Sequence, residues 1–401
     1  MALRRLDWIA AALDFIPPEM SGFRRHRATA DCLADVIATL EDAQQRGYAG
    51  YLVLLDVKSA FDNLPHDSIM DALRAIRVCD RVFAYVSAFL SGRCFRVRVG
   101  GSTSSPRSIS VDVPQGSVLS PFLSNLALAR LPDFIPRTLP CDVRLAIYAD
   151  DLSLFAVGPT SSGRLVRQSI QGAINAIDSY LPGIGLNLSP NKTEALLVHL
   201  LFRVRYEIPR LNLRGVLIPW SRRVRYLGVL IDHRLSWKPA VAALRKGSTK
   251  VANAARSLLA RGRGCSPQLA LRVYNTVATS RCLYGLPLAS LRPSQWETLD
   301  MQHRQVIRQL YGLPRNSPIG PTLAEAKDFP LSVRAQCRAL NHAERRQRTR
   351  QGQYLVLRLH YLPHSCMGRR AAEFHTLVPT PYYGWLPPTP HHPATTNDEL
   401  A

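Results

Sequence analysis

The run Leu145-Ala146-Ile147-Tyr148-Ala149-Asp150-Asp151-Leu152-Ser153-Leu154-Phe155 sets two adjacent carboxylates between two short apolar segments. Both segments are rich in aliphatic and aromatic side chains, which predicts two buried strands with the acids at the turn between them. Two anions at the tip of a buried hairpin repel each other and lose hydration. A cation relieves both penalties, and carboxylate oxygens are natural ligands for magnesium. Asp is also an ordinary turn residue, so this stretch alone leaves a plain hairpin open.

A carboxylate further upstream shifts the balance. Tyr51-Leu52-Val53-Leu54-Leu55 is a continuous apolar strand that ends in Asp56. Neighbouring strand residues face opposite sides, so Asp150 and Asp151 cannot both point at Asp56 unless the turn reorients one. Asp56 and Asp150 are therefore expected to be the firm metal ligands, with Asp151 weaker. A third block, Val113-Pro114-Gln115-Gly116-Ser117, follows a β-rich segment and opens a helix-like run through Ala129. The glycine there lets backbone approach a ligand closely.

The charge balance points to the partner. Lys plus Arg total 51 against 29 Asp plus Glu, a net charge of +22 in 401 residues. That excess favours a polyanion, and nucleic acid is the obvious one. It is densest from Arg203 to Arg263, where 15 basic residues accompany only Glu207 and Asp232. No apolar run reaches the ~18 residues of a membrane span, so no membrane partner is expected. Asp7 and Asp14 interrupt the apolar face of the N-terminal segment, which argues against a signal peptide. The eight cysteines form no CxxC pair and read as reduced, mostly buried thiols of an intracellular protein; nucleus and cytoplasm are the expected compartments.

These blocks resemble, in order, motifs A, B and C of reverse transcriptases. The resemblance continues through Gly185-Leu186-Asn187-Leu188 with Asn191-Lys192-Thr193, like motif D, and through Tyr226-Leu227-Gly228-Val229, like motif E. Phe61-Asp62-Asn63-Leu64-Pro65-His66 and Gly22-Phe23-Arg24 are most similar to the non-LTR (LINE-type) retrotransposon branch. The resemblance implies an α+β right-hand polymerase: an antiparallel palm sheet with helices on one face, partial fingers and a helical thumb. It implies an RNA-directed DNA polymerase using two Mg2+ ions, an RNA template, a DNA primer and deoxynucleoside triphosphates. Asp56, Asp150, Asp151 and the carbonyl of Val57 would hold the ions.

The remaining roles follow the motifs. Ser59 and Ala60 would meet the β and γ phosphates through backbone N–H groups, and Phe61 would crowd the 2′ carbon of the incoming sugar. Gln115 and Gly116 would lie against the nascent base pair. Lys192, at a turn, would protonate the leaving pyrophosphate. Tyr226, Leu227 and Gly228 would grip the primer end, and Lys246 and Lys250 would project from the first thumb helix. Arg24, before a helix start, is read either as a template-phosphate contact or as a solvated basic turn.

The expected domains are 1–235, palm with partial fingers, and 236–345, a helical thumb or connection. Residues 346–401 read as a tail, Pro-rich and disordered at its end. His360, His364, Cys366 and His375 match no standard zinc-finger spacing. The chain is expected to begin after the fingers segment that clamps the triphosphate, so weak or absent activity is expected of it. The competing reading is a catalytically silent nucleic-acid-binding remnant; a telomerase or group II intron relative is an alternative within the same fold.

Overall fold

The structure is a computed structural model that describes residues 1–58, 62–109, 111–114, 116–201, 203–259 and 264–378. Ser59, Ala60, Phe61 and Gln115 therefore lie outside the described residues, as do 379–401 at the Pro-rich end of the expected tail.

A five-stranded sheet organises the chain. Its order is Trp220–Ser221, Glu194–Val198, Ala49–Asp56, Asp151–Gly158, Arg144–Tyr148. The last four strands pair antiparallel, and Trp220–Ser221 joins parallel to Glu194–Val198. Ala49–Asp56 is central and pairs Ala49 with Gly158 at one end and Asp56 with Asp151 at the other.

Tyr51, Val53 and Leu55 face one apolar cluster, with Ile170, Ile174 and Ile177 of the Gly163–Tyr180 helix and Phe122 and Leu123 of the Ser120–Leu128 helix. Leu52, with Phe155 and Leu196, faces a second cluster built on Cys32, Leu33, Val36, Ile37 and Leu40 of the Thr29–Gln45 helix. Helices thus cover both faces, and the single covered face expected from the sequence is corrected. The cause is legible in the central strand. It is a continuous apolar run, which needs cover on both sides, where a one-sided strand would alternate with polar residues.

The Thr29–Gln45 helix starts where the Asp31 carboxylate accepts the Ala28 N–H at 2.7 Å, a cap for a free backbone donor. It also carries buried acids that meet the far end of the chain. Arg346, fully buried, ion-pairs with Asp31 at 3.0 Å and donates to the His26 carbonyl. Arg358 pairs with Asp35 at 2.5 Å, and Glu41 accepts from the Cys366 N–H at 2.9 Å. The expectation that 346 onward is a tail is corrected. Arg350–His360 and Cys366–Leu377 are helices that pack on Thr29–Gln45 together with Leu331–Gln347. A third apolar cluster joins Lys238–Ser257, Pro267–Tyr274 and Pro293–Tyr311 through Ala252, Ala255, Leu271 and Ile307. No helix among the described residues is long and apolar enough to cross a membrane.

Candidate active site

The acid hairpin closes with the Tyr148–Asp151 pair, so Ala149 and Asp150 form a two-residue turn. Ala149 has φ +57° while Asp150 stays at negative φ, the pattern of a type II′ turn. A side chain at positive φ is strained and must be held by its surroundings. The surroundings here are the segment ahead of Thr29. The Ser21 N–H donates to the Ile147 carbonyl, and the Ile147 N–H donates to the Glu19 carbonyl, both at 2.9 Å. Asn125, buried, donates its Nδ2–H to the Gly22 carbonyl at 2.7 Å. Gly22 lies so close that a Cβ there would approach the Ala149 nitrogen to under 3.0 Å.

The two-residue turn sets which acid is the register partner of Asp56. Asp151 begins its strand and is the register partner of Asp56. In an antiparallel ladder directly opposed residues share a face, so both carboxylates stand at the same end of the same face. Asp150 lies on the turn beside them, and it and Asp151 are both exposed. The sequence ranked Asp150 ahead of Asp151 as a ligand; along the backbone Asp151 is the register partner of Asp56, and Asp150 precedes it on the turn. Partial burial raises the Asp151 carboxyl above its ordinary value, and the neighbouring Asp150 and Asp56 charges raise it further.

Asp56 and Asp151 line a cleft of about 210 Å³ with Lys192, Glu194, Arg225 and the Tyr226-Leu227-Gly228 turn. Asp56 Oδ2 is buried and accepts no hydrogen bond; the nearest cation is Lys192 Nζ at 3.5 Å. Lys192 ends the short turn Pro190–Lys192, which sits against the strand end: the Ser189 N–H donates to the Asp56 carbonyl, and the Lys58 N–H to the Asn187 carbonyl, both at 2.8 Å. Val57, named as a carbonyl ligand, is buried and bridges to Leu188.

An orphaned carboxylate oxygen beside a like-charged partner fits a hard cation. The fit is for a pair: among the described residues no three His, Cys, Asp or Glu side chains gather where one ion would reach them all. The same observation leaves His360, His364, Cys366 and His375 without a metal geometry.

Two expected contacts are bonded within the protein. Arg24, half-buried, commits one guanidinium nitrogen to the chain itself. It donates to the carbonyls of Pro17 at 2.8 Å and Met20 at 3.0 Å. Burial, with the nearby Arg27 charge, pulls its pKa down to about 10. Tyr226 is likewise buried, with its hydroxyl 3.0 Å from Ser153 Oγ, and its phenol is held well above the usual range by desolvation. It anchors the turn from beneath, while Leu227 and Gly228 form the turn itself at φ +43° and +82°. Positive φ at both positions is the type I′ arrangement. Tyr284 donates its hydroxyl to the Leu227 carbonyl at 3.0 Å from the other side.

Gly116 is exposed at φ +93°, with open space where a Cβ would be. Lys246 and Lys250 stand exposed on Lys238–Ser257, away from the cleft lining. Glu194, Arg225, Gly22 and Asn125 were not singled out by sequence. Only Gly22, inside a quoted motif, carried a signal.

A carboxylate pair, a neighbouring lysine and a backbone turn share one cleft on an α+β sheet, a chemistry suited to a metal-assisted transfer at phosphorus. The family model described as reverse transcriptase (RNA-dependent DNA polymerase) matches residues 1–231, more than half of the chain. The chain belongs to the reverse transcriptase family. Among curated relatives, the RNA-directed DNA polymerase from mobile element jockey of Drosophila funebris is 25% identical over 308 residues, covering 75% of this chain and 32% of that protein. The jockey polymerase of Drosophila melanogaster is 26% identical over 322 residues, covering 78% and 34%. The Pol polyprotein from the type-2 retrotransposable element R2DM of Drosophila melanogaster is 31% identical over 180 residues, covering 44% and 16%. The chain thus spans about a third of the length of the jockey relatives it matches. Among solved structures, apo telomerase from Candida tropicalis aligns over 96% of this chain and 59% of that chain, at 11% identity and a TM-score of 0.41.

Proposed function

We propose that the chain is the RNA-directed DNA polymerase portion of a non-LTR retrotransposon protein, adding deoxynucleotides to a DNA primer on an RNA template. The observation that carries this reading is the Asp56–Asp151 pairing at one end of the sheet, with an orphaned Asp56 oxygen facing Lys192. Asp56 and Asp151 would hold magnesium, with Asp150 and the Val57 carbonyl as further ligands. Bound, two such ions would activate the primer 3′ hydroxyl and neutralise charge developing on the triphosphate.

The chain's own groups do the rest. Lys192 neutralises Asp56 between turnovers and, released from it, donates a proton toward the leaving pyrophosphate. The Leu227-Gly228 turn presents backbone to the primer end, since its tyrosine neighbour is committed to Ser153. Gly116 leaves room for close approach of a base pair, and Phe61, with Ser59, Ala60 and Gln115, keeps the substrate roles implied by the motifs. Residues 1–235 then serve as palm with partial fingers, and 236–345 as the thumb whose helix carries Lys246 and Lys250 toward the duplex.

Primer extension on an RNA template with magnesium tests the reading. Incorporation should occur and should fall by about 10²–10³-fold in Asp56→Asn and Asp151→Asn, the range seen when a principal electrostatic group is lost. Binding of primer–template without any incorporation would instead support the silent nucleic-acid-binding remnant.

A further inference from the structure

The end of the sheet opposite the acids carries a second feature. A groove of about 740 Å³ is lined by Glu41, Gln44, Leu200, Arg234, Lys238, Ser290, Arg292, His364 and Arg369, among others. Arg234, Lys238, Arg292 and Arg369 are all exposed. None of them takes part in an ion pair among the described residues, whereas Asp35 and Asp42, on the same helix as Glu41, are paired with Arg358 and Arg46.

The only acid in the lining is spent inward. Glu41 accepts from the Ser290 N–H at 2.6 Å, the Ser290 hydroxyl at 2.7 Å and the Cys366 N–H at 2.9 Å. Those bonds tie three walls of the groove together: the Thr29–Gln45 helix, the segment at Ser290, and the start of Cys366–Leu377. Gln44 fixes the fourth by donating to the Arg234 carbonyl at 2.7 Å. Arg369 is steered into the opening by bonds to the His364 carbonyl at 2.8 Å and Ser290 Oγ at 3.0 Å. The walls are locked, and the cations on their rims are left facing water.

Four like charges around one rigid groove repel each other, and a polyanion relieves that repulsion. We propose that this groove is a second nucleic-acid-binding surface, one that takes the phosphate backbone of a duplex away from the catalytic cleft. The central strand separates the two. From Ala49, four residues after the groove-lining Gln45, to Asp56, in the cleft, seven steps at about 3.4 Å make about 24 Å. That is the length of about seven base pairs at 3.4 Å per pair along one strand, so one duplex can touch both places or two nucleic acids can be held at once. The inference goes beyond the polymerase reading and does not need incorporation to be tested.

The test is equilibrium binding of a fluorescein-labelled 20-base-pair RNA–DNA hybrid by anisotropy, between 50 and 200 mM KCl. The unmodified chain is compared with the triple variant Arg234→Gln/Lys238→Gln/Arg292→Gln and with a control that removes three exposed cations elsewhere, Arg4→Gln/Arg5→Gln/Arg81→Gln. Each phosphate contact contributes about 0.9 to the slope of log affinity against log salt. The groove variant should therefore lower the slope by about 2.7, a salt response about 40-fold weaker over this fourfold range. The control slope should stay unchanged. An unchanged slope in the groove variant overturns the proposal, and so does an equal fall in the control, which would mean that only net charge matters. All six substitutions are at exposed positions, and an unchanged melting temperature confirms that the fold is intact. If no incorporation occurs in any variant while the groove slope falls, the polymerase reading fails and the groove stands.

Discussion

The contact between Gly22 and the acid hairpin makes a sharp test of how the site is held. In Gly22→Ala the new Cβ would lie under 3.0 Å from the Ala149 nitrogen, 3.2 Å from the Tyr148 carbonyl carbon and 3.3 Å from Ala149 Cα. All of these are backbone atoms, so no side chain can swing away. Gly22 is not at positive φ, so alanine brings no torsional penalty of its own, and the effect is steric. Restoring ordinary contact requires the turn to retreat by at least about 0.5 Å, about the tolerance within which a catalytic constellation must be held. The turn cannot retreat freely, because Ile147 is bonded to Glu19 and Ser21 on one side and the Gly22 carbonyl is held by Asn125 on the other. Overpacking of this kind costs about 1–3 kcal/mol of stability. A shift of this size in a reacting carboxylate costs between about 10- and 100-fold in rate. The assay is single-turnover primer extension with saturating primer–template, beside a melting curve and a hybrid-binding isotherm. The expected pattern is a large fall in the chemical rate, a modest fall in melting temperature and unchanged affinity. Asn125→Ala should give the same pattern more weakly, since it loosens the carbonyl without forcing the turn. A rate within about twofold of the parent in Gly22→Ala, with the protein folded, would refute the claim that this segment sets the position of Asp150 and Asp151.

Other outcomes follow from single groups. Asp151 has a folded pKa above its unfolded one, so its contribution is favourable at low pH and is lost as pH rises through the folded value. In chelator at pH 7, Asp151→Asn should therefore raise the melting temperature while abolishing incorporation, and a lowered melting temperature would contradict the like-charge account. Magnesium should stabilise the parent chain more than Asp151→Asn by differential scanning fluorimetry, because it binds the folded acid pair. Tyr226→Phe should cost about 1 kcal/mol, the worth of one buried hydrogen bond, and leave the primer KM unchanged. A raised KM would return Tyr226 to a primer contact. Arg346→Met removes the ion-pair partner of the buried Asp31 carboxylate. Breaking a buried pair costs about 3–5 kcal/mol, so denaturant unfolding should shift strongly, and a shift under about 1 kcal/mol would show the pair to be solvated.

The sequence reached the sheet and its acids because those signals are local. Tyr51–Leu55 and the two runs around Asp150 are apolar over four or five consecutive residues, enough to mark buried strands without knowing what covers them. What was not legible is what each residue meets across the chain. Arg24 stands in a basic cluster and reads either as a phosphate contact or as a solvated turn, yet it donates to the Pro17 and Met20 carbonyls, which leave no trace in a pattern of side chains. Strand alternation says that neighbouring acids face opposite sides, but which of them is the register partner of Asp56 needs the turn length, and that is fixed by the pairing of Tyr148 with Asp151. The C-terminal helices were missed for a related reason. Residues 350–377 stand next to a Pro-rich end, and the acids that recruit them, Asp35 and Glu41, lie more than 320 residues earlier. Those acids alternate with Leu33, Val36, Ile37 and Leu40 on a helix whose apolar stripe is plain, so by sequence they pass for its solvated face. Glu41 is buried and Asp35 half-buried because a second layer of arginines and backbone N–H groups from the end of the chain covers them. The same long-range bonds lock the walls of the distal groove, so the segment that reads as a tail instead fixes the shape of the surface behind the catalytic sheet.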